Sequence, residues 1–421
     1  MERRPSPLLG WHEVTGSASA DTPPRPEPVR TRDAGLRRRN FPLIDSLRAI
    51  AALSVLVFHV TQVTGTGESR SWGAYLMRLN VGVTLFFVIS AFLLYRPFVA
   101  ARMGVGPQVS VRRYIRSRAL RILPAYWFAL AVLMFIPGAL VGVDAQHWWV
   151  YFGFLQVYDV HRIVLGIAPA WSLSTEVAFY LFLPAYAWLV ARTLGRRIRT
   201  SIKTEFGLLA CLAAAAITLR TAVQHFGFVR ILPYTLLGTF AWFSLGLAFA
   251  LVSVRREAEP HSARLVRLSP SLAWGLAVGI YVLACTALDL PRSSQASGIP
   301  NGYTGVQWLG EHLLFLLVAA FLVLPAFFDD GRGSIPQRVL GSAPLAWLGK
   351  ISYGIFLWHV PVLVLVVKHR GSYDWLPFDP FVAKLLITTG VTVACAAFSF
   401  YVVEKPFLRM KVSREQAHAA P

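Results

Sequence analysis

Long apolar runs recur from about residue 43 to the end of the chain, and polar residues collect in the segments between them. A helix that crosses the hydrocarbon core of a membrane needs about 20 largely apolar residues. On that rule the sequence predicts ten spans, near residues 43–63, 80–98, 122–142, 171–191, 206–224, 231–253, 271–289, 310–328, 346–367 and 383–403. Ten-residue segments of alternating polarity, typical of transmembrane β-barrels, are absent. We therefore predict an all-α bundle of about ten transmembrane helices.

Composition and charge support the same class of protein. Hydrophobic residues make up 55% of the 421 positions and charged residues only 15%, against about 25% charged residues in soluble domains. The net charge of +20 is the usual sign of nucleic-acid binding. Here the charges lie between long uncharged runs and form no continuous basic face, so we expect a lipid bilayer as partner and no nucleic acid.

The distribution of Lys and Arg predicts the orientation of the chain. One set of alternating segments holds 31 of these residues and the other set holds seven. Because cytoplasmic loops are enriched in Lys and Arg, both termini are expected in the cytoplasm. Residues 1–40, rich in Pro and Arg, are expected to form a disordered cytoplasmic tail, residues 41–408 the membrane domain and residues 409–421 a short cytoplasmic tail. The aromatic stretch 147–158 is expected to be interfacial or re-entrant rather than a span.

Three ionisable residues interrupt the first predicted span. Asp45, Arg48 and His59 fall on one helical face, since the eleven residues from Arg48 to His59 make nearly three full turns. His59 then lies about 16 Å deeper along the helix than Arg48. Intramembrane charges are usually functional. A snorkelling interfacial arginine and a histidine hydrogen-bonded in the bundle core remain alternatives.

A cluster of five arginines, Arg112, Arg113, Arg116, Arg118 and Arg121, precedes the third predicted span. Ordinary positive-inside charge explains such a cluster in most membrane proteins. Arg118 and Arg121 differ from the others because residues spaced i,i+3 at a helix start point the same way. A pair of guanidinium groups with that direction suits a phosphate-bearing ligand.

Glu176 is the only charged residue between residues 163 and 191. An isolated carboxylate in an apolar span needs a partner. Helix geometry places Glu176, His59 and His359 at a similar depth near the outer surface of the membrane. One carboxylate and two imidazoles at one level form a general-base constellation. The proton pathway of a transporter uses the same residue types, so both interpretations stay open at this point.

Six segments stand in an order that resembles a known family. They are Leu43–Ala52 followed by His59, Phe86–Leu93, Arg118–Tyr126, Trp171–Tyr180, Leu348–His359 and Glu404–Phe407. Together they resemble the acyltransferase-3 family of bacterial integral-membrane acyltransferases, whose members modify sugars, lipopolysaccharide, glycolipids and macrolides. Arg48 and His59 match the family's Arg-x10-His signature. The sequence departs from the family at Ala91 and at Ser46, where glycine is commoner, and Ala91 puts a close backbone approach in doubt.

This resemblance implies about ten core helices, a cytoplasmic acyl-CoA donor, and His59 as the essential base or acyl carrier. It implies that Arg118 and Arg121, with Arg48, bind the donor. Glu176 is expected to orient or charge-stabilise an imidazole. The residues expected to support the site are Asp45, Ser90, Trp171, Ser172, Tyr353, His359 and Glu404. No metal and no bound cofactor are expected.

The sequence thus predicts a multi-pass enzyme of a bacterial cell membrane. It would move an acyl group, most simply acetyl, from acyl-CoA to a hydroxyl of a sugar, glycolipid or macrolide. Only about fourteen residues follow Phe407, so we expect the form of the family without a fused extracellular domain. A secondary transporter or flippase that uses the same His, Glu and Arg residues as a proton relay is the alternative, although its usual internal repeat is not visible. A non-catalytic sensor or scaffold is a second alternative.

Overall fold

The computed structural model describes nine stretches of the chain, residues 41–140, 142–143, 146–194, 198–226, 231–259, 268–287, 304–328, 333–368 and 379–410. The predicted tail 1–40 and the residues from 411 onward lie outside the described residues. Residues 405–410 continue the last helix, and the predicted division into a membrane domain and two tails stays a prediction.

The described residues are helical wherever they form regular structure. The α-helices in the first half are α1 Pro42–Val63, α2 Thr66–Ser69, α3 Gly73–Met77, α4 Val81–Arg102, α5 Val111–Met134, α6 Trp148–Phe152, α7 Ala170–Leu194 and α8 Ile198–Phe226. Those in the second half are α9 Leu236–Ala258, α10 Pro270–Thr286, α11 Gly305–Phe327, α12 Ile335–Leu340, α13 Ala343–Lys350, α14 Ser352–Lys368 and α15 Pro380–Ser399. A π-helical turn, Phe400–Glu404, follows α15.

Eight helical segments of the described residues are long and apolar enough to cross a membrane. They are Leu43–Val63, Gly73–Arg102, Val111–Met134, Ala170–Leu194, Ile202–Val223, Leu232–Ala258, Gly305–Phe327 and Pro380–Met410. The pair α13 and α14 forms a ninth that is bent by 72°, and the 17-residue α10 occupies the seventh predicted span. The all-α transmembrane class is therefore confirmed, and the cytoplasmic location of the termini stays a prediction. The short helix α6 within 147–158 is not among the spans, as expected.

The third predicted span was placed too late in the sequence. It was expected at 122–142, whereas α5 begins at Val111 and ends at Met134. Ser110 caps the start of this helix, since its hydroxyl accepts the Arg113 N–H, and arginine is a good helix former. Pro137 and Gly138 follow its end and disfavour further helix. Arg118 and Arg121 therefore lie in the third turn of α5 rather than at its start.

The ninth predicted span is broken between α13 and α14, which the apolar pattern at 346–367 did not reveal. Gly349, near the end of α13, packs directly on the backbone of Asp45 in α1, and a Cβ at Gly349 would overlap the Asp45 carbonyl. The Ser46 hydroxyl also donates to the Leu340 carbonyl in α12, at 2.5 Å. These contacts hold α12 and α13 across the start of α1, while α14 turns away into the bundle.

Helices α4 and α9 approach each other closely at a glycine of α9. A Cβ at Gly246 would overlap the Val88 carbonyl and come within 2.6 Å of the Ala91 Cβ. Nearby, the Phe87 and Phe243 rings are stacked with their centroids 4.6 Å apart. The close backbone approach that Ala91 put in doubt is thus made, and the glycine that permits it is supplied by the partner helix.

Candidate active site

A cavity of about 90 Å³ lies between α1, α4, α5, α7 and α14. Its polar lining consists of Arg48, Ser90, Arg118, Arg121, Ser172, Glu176, Tyr180, Ser352 and Tyr353. Its apolar lining consists of Val83, Phe86, Phe87, Ile89, Leu93, Leu94, Leu173 and Phe356. We call this space the arginine cavity. It brings the three predicted donor-binding arginines together, although they come from two helices and are up to 73 residues apart in sequence.

The three arginines of the cavity have few partners within the described protein. The Arg48 guanidinium is 4.0 Å from the exposed carboxylate of Asp45, and Arg118 donates to the Ser117 hydroxyl at 3.0 and 3.3 Å. Arg121 makes no hydrogen bond or ion pair with the described residues. Because each guanidinium carries five N–H donors, most of this donor capacity is available to an anionic ligand.

Glu176 is held by hydroxyl groups rather than by a cation. The Ser90 Oγ and the Tyr180 hydroxyl each donate to Glu176 Oε1 at 2.6 Å. Arg48 and Arg118 both have Glu176 among their electrostatic neighbours. The expected pairing of Glu176 with an imidazole is not made among the described residues. The depth argument used an average helix position and could not show which side of α7 faces the arginines.

The two histidines predicted at one depth are in contact. His359 Nε2 lies 3.2 Å from His59 Nδ1. His359 Nδ1 lies 2.8 Å from the Phe356 carbonyl and 3.1 Å from that of Ile355. His59 Nδ1 lies 2.9 Å from the Val55 carbonyl. Carbonyl oxygens only accept hydrogen bonds.

These contacts assign the protons of the histidine pair. His359 must carry its proton on Nδ1 to donate to the carbonyls, which leaves Nε2 as an acceptor. His59 then carries its proton on Nδ1 and shares it between the Val55 carbonyl and His359 Nε2. In this neutral tautomer the Nε2 of His59 keeps a lone pair. Among the described residues nothing hydrogen-bonds to that nitrogen, so it is available as a base or nucleophile.

The remaining predicted residues fall into two groups. Ser172 and Tyr353 line the cavity, and the Tyr353 hydroxyl donates to the Ile122 carbonyl at 3.0 Å, next to Arg121. Trp171 lies outside the cavity lining and packs edge-on against Tyr234, at 5.0 Å between ring centroids.

Glu404 ends the π-helical turn and is 5% exposed. Its Oε1 has no hydrogen-bond partner among the described residues, and Arg121 and Arg48 are its charged neighbours. Extra-residue turns of this kind are often found at functional sites. The π-turn thus adds a buried carboxylate near two of the cavity arginines.

Sequence reasoning missed the aromatic part of the site. Tyr180 holds Glu176, and Phe86 and Phe356 line the cavity. Tyr180 lies four residues after Glu176, so the helical i,i+4 relation was a usable signal. Phe86 and Phe356 lie within the segments Phe86–Leu93 and Leu348–His359 that carry the family resemblance, but their apolar side chains gave no sign that they line the site.

Comparisons with known proteins identify the family of the chain. Residues 41–399 match the family model described as an acyltransferase domain. A peptidoglycan O-acetyltransferase, OatA, of Listeria monocytogenes is 23% identical over 385 residues, which is 88% of this chain and 56% of that protein. The putative peptidoglycan O-acetyltransferase YrhL of Bacillus subtilis is 26% identical, over 87% of this chain and 55% of its own length. OatA of Staphylococcus aureus, an O-acetyltransferase, is 25% identical over 87% of this chain and 57% of its own length.

This chain therefore spans a little more than half the length of these curated relatives. No solved structure matches it.

Proposed function

Because this chain belongs to the acyltransferase-domain family, with which it shares most of its membrane domain, we propose that it transfers an acyl group from acyl-CoA to a hydroxyl. The observation that carries the proposal is the arginine cavity. Three guanidinium groups face one space with few protein partners, and Arg is the side chain best suited to bind phosphate groups. The phosphates of acyl-CoA fit this requirement. Acetyl is the smallest acyl group and matches the O-acetyltransferase names of the relatives.

His59 is proposed as the general base. Its Nε2 takes the proton of the acceptor hydroxyl while the hydroxyl oxygen attacks the thioester carbonyl. The new C–O bond forms, the C–S bond breaks, and the proton then passes from His59 to the thiolate of CoA. His359 supports this role because it fixes the tautomer of His59. A route through a transient acyl group on His59 would use the same nitrogen, and trapping with hydroxylamine would reveal it.

Glu176 is proposed to position and charge-balance the arginines rather than an imidazole. Its carboxylate is fixed by Ser90 and Tyr180 and adds negative charge close to Arg48 and Arg118. Such a balance lets three guanidinium groups converge before the donor binds. Glu404 would likewise balance the positive charge of Arg121.

The proposed acceptor is a carbohydrate hydroxyl. The relatives with printed substrates are named for peptidoglycan, which is a glycan polymer, and a glycolipid or macrolide hydroxyl would need the same chemistry. We further propose a bacterial cell membrane as the location. The arginine-rich end of the bundle, which carries Arg112 and Arg113, would face the cytoplasm and its acyl-CoA.

Transfer of label tests the proposal. Purified protein in lipid nanodiscs is given acetyl-CoA labelled in the acetyl group together with a cell-envelope glycan fraction. The proposal predicts label in the glycan fraction, released by mild base as expected for an ester. A wild-type protein that leaves the label on CoA with every glycan, glycolipid and macrolide offered would contradict it.

A further inference from the structure

The proposed donor site and the proposed base are separated by an aromatic pair. Phe86 and Phe356 both line the arginine cavity, whereas His59 and His359 are not among its lining residues. The two phenylalanine rings meet edge to face, with centroids 6.2 Å apart and planes at 74°. An edge-to-face contact is a favoured arrangement of two aromatic rings.

Phe356 lines the cavity and also contacts His359 of the histidine pair. Its carbonyl accepts the Nδ1 proton of His359 at 2.8 Å, and its ring centroid lies 6.0 Å from that of His359. The Phe356 ring therefore lies next to both the arginine cavity and the histidine pair, so an acyl group that moves from one to the other would pass close to this ring.

Phe86 supports the pair from α4. It packs against a buried cluster that includes Ala52 and Leu56 of α1 and Ile355 of α14. Leu56 is three residues before His59, so this cluster also underlies the proposed base. Because well-packed cores give way little, the space beyond the aromatic pair is limited in size.

We infer that Phe86 and Phe356 form a steric limit that sets the length of the acyl group, admitting acetyl and rejecting longer chains. This inference rests on the proposed function. The phosphates of the donor stay at the arginines, so the thioester carbonyl reaches His59 only when the group beyond it fits past the two rings. A hydrophobic site of this kind discriminates about 10–200-fold for each methylene group.

The test compares donors of increasing length. Wild-type protein and the variants Phe356→Ala and Phe86→Ala are assayed in nanodiscs with acetyl-, propionyl-, butyryl- and hexanoyl-CoA, each labelled in the acyl carbonyl. The quantity measured is the ratio of kcat/KM for butyryl-CoA to that for acetyl-CoA. We expect at least a tenfold increase of this ratio in either variant, because the removed ring leaves room for two more methylene groups.

Phe98→Ala is the matched control. Phe98 lies on the same helix as Phe86 but packs edge-on against Tyr114 and does not line the cavity. Its ratio is expected to equal that of wild type. If the alanine variants do not fold, Phe86→Leu and Phe356→Leu, which keep more of the side-chain volume, are expected to raise the propionyl-to-acetyl ratio instead.

Two results would overturn the inference and can be told apart. If wild type uses acetyl-CoA but folded variants lower kcat/KM equally for all donors, the aromatic pair does not select the chain. If wild type transfers no acyl group from any CoA donor, the proposed function itself fails and the inference fails with it. Stabilisation of Phe356→Ala by butyryl-CoA in a thermal-unfolding assay, beyond that of wild type, would support the inference without turnover.

Discussion

Two sites of this protein each bring arginine and glutamate together, and they differ in what the arginines contact. In the arginine cavity the guanidinium groups face an open space, and the carboxylate of Glu176 is held by hydroxyls. In the second cluster Arg220 is 8% exposed and donates to the carbonyls of Pro233 and Gly238. Its guanidinium also lies 5.5 Å from the Trp242 ring centroid.

The other members of the second cluster are also buried. Glu311 Oε1 lies 3.9 Å from Arg78 and has Arg220 as a further charged neighbour. His312 is stacked on Trp242, with centroids 4.7 Å apart. We call Arg78, Arg220, Glu311 and His312 the buried ion cluster. A carboxylate, backbone carbonyls and aromatic rings surround its cations, although Arg220 Nε, Glu311 Oε1 and both ring nitrogens of His312 have no hydrogen-bond partner among the described residues.

The comparison teaches that an intramembrane arginine is not a ligand site by itself. Arg220 lies within the fifth predicted span and Arg48 near the start of the first, and composition alone does not distinguish the two residues. The difference is where their donors are used. Arg220 donates through Nη1 to two backbone carbonyls and lies against aromatic rings, whereas Arg48, Arg118 and Arg121 line a cavity in which a ligand can supply acceptors.

The largest expected difference in activity is between variants of His59 and His312. His59→Ala removes the proposed base, and we expect transfer of the acyl label to fall by a factor on the order of 10³. His312→Phe keeps the stacking on Trp242 and is expected to retain most of the activity. Initial rates with labelled acetyl-CoA measure both. Equal losses in the two folded variants would remove the distinction between the clusters.

The next contrast concerns stability. Arg220→Ala leaves Glu311 buried with one cation fewer, and breaking a buried ion pair costs about 3–5 kcal/mol. We expect a clear fall in the midpoint of thermal unfolding in detergent. Arg121→Ala removes a cation near the buried Glu404, but Arg121 makes no hydrogen bond or ion pair with the described residues, so a smaller fall of the midpoint is expected. A greater fall for Arg121→Ala than for Arg220→Ala would contradict the assignment of Arg220 to fold stability and of Arg121 to ligand binding.

The effect on donor affinity is expected to be smaller, and here Arg121 rather than Arg220 is the sensitive residue. Arg121→Ala is expected to raise the KM for acetyl-CoA about 10–100-fold, because it removes charge-assisted hydrogen bonds worth about 1.5–3 kcal/mol. kcat should change much less. Arg121→Lys keeps the charge but loses the fork geometry and should lie between the two. An unchanged KM in Arg121→Ala would show that this arginine does not bind the donor.

The smallest effect is expected from the hydroxyls that hold Glu176. Ser90→Ala and Tyr180→Phe each remove one hydrogen bond to a charged acceptor, worth about 1.5–3 kcal/mol, and each leaves the other hydroxyl in place on Glu176. We predict a loss of roughly 5–30-fold in kcat/KM for acetyl-CoA from each. Tyr281→Phe, which alters a hydroxyl on α10 bonded to the Tyr75 carbonyl, is the control and should leave kcat/KM unchanged. The assignment of Glu176 would be contradicted if all three variants behaved alike.

Much of the fold was predictable because the bilayer imposes a simple length rule. The charges that mark the site were also visible, since Arg48, His59 and Glu176 interrupt apolar runs. Three features were not visible. The start of α5 at Val111 depends on a serine cap and helix propensity rather than hydropathy, and the break before α14 depends on the contact of Gly349 with α1.

The third hidden feature is the direction of Glu176. Depth along an ideal helix placed it with the histidines, but the side of α7 that packs against α4 and α5 places it with the arginines. Periodicity gives the depth of a residue within a span, whereas its neighbours are set by which helices pack together. That packing is a property of the whole bundle.

The central claim is that the arginine cavity binds acyl-CoA, and direct binding tests it most simply. Equilibrium binding of labelled acetyl-CoA is measured on wild type, Arg118→Ala and Arg220→Lys in nanodiscs, at a temperature where all three are folded. We predict saturable binding by wild type and Arg220→Lys, weakened at least about tenfold in Arg118→Ala. Equal affinity in Arg118→Ala and wild type, or no saturable binding by wild type, would contradict the claim.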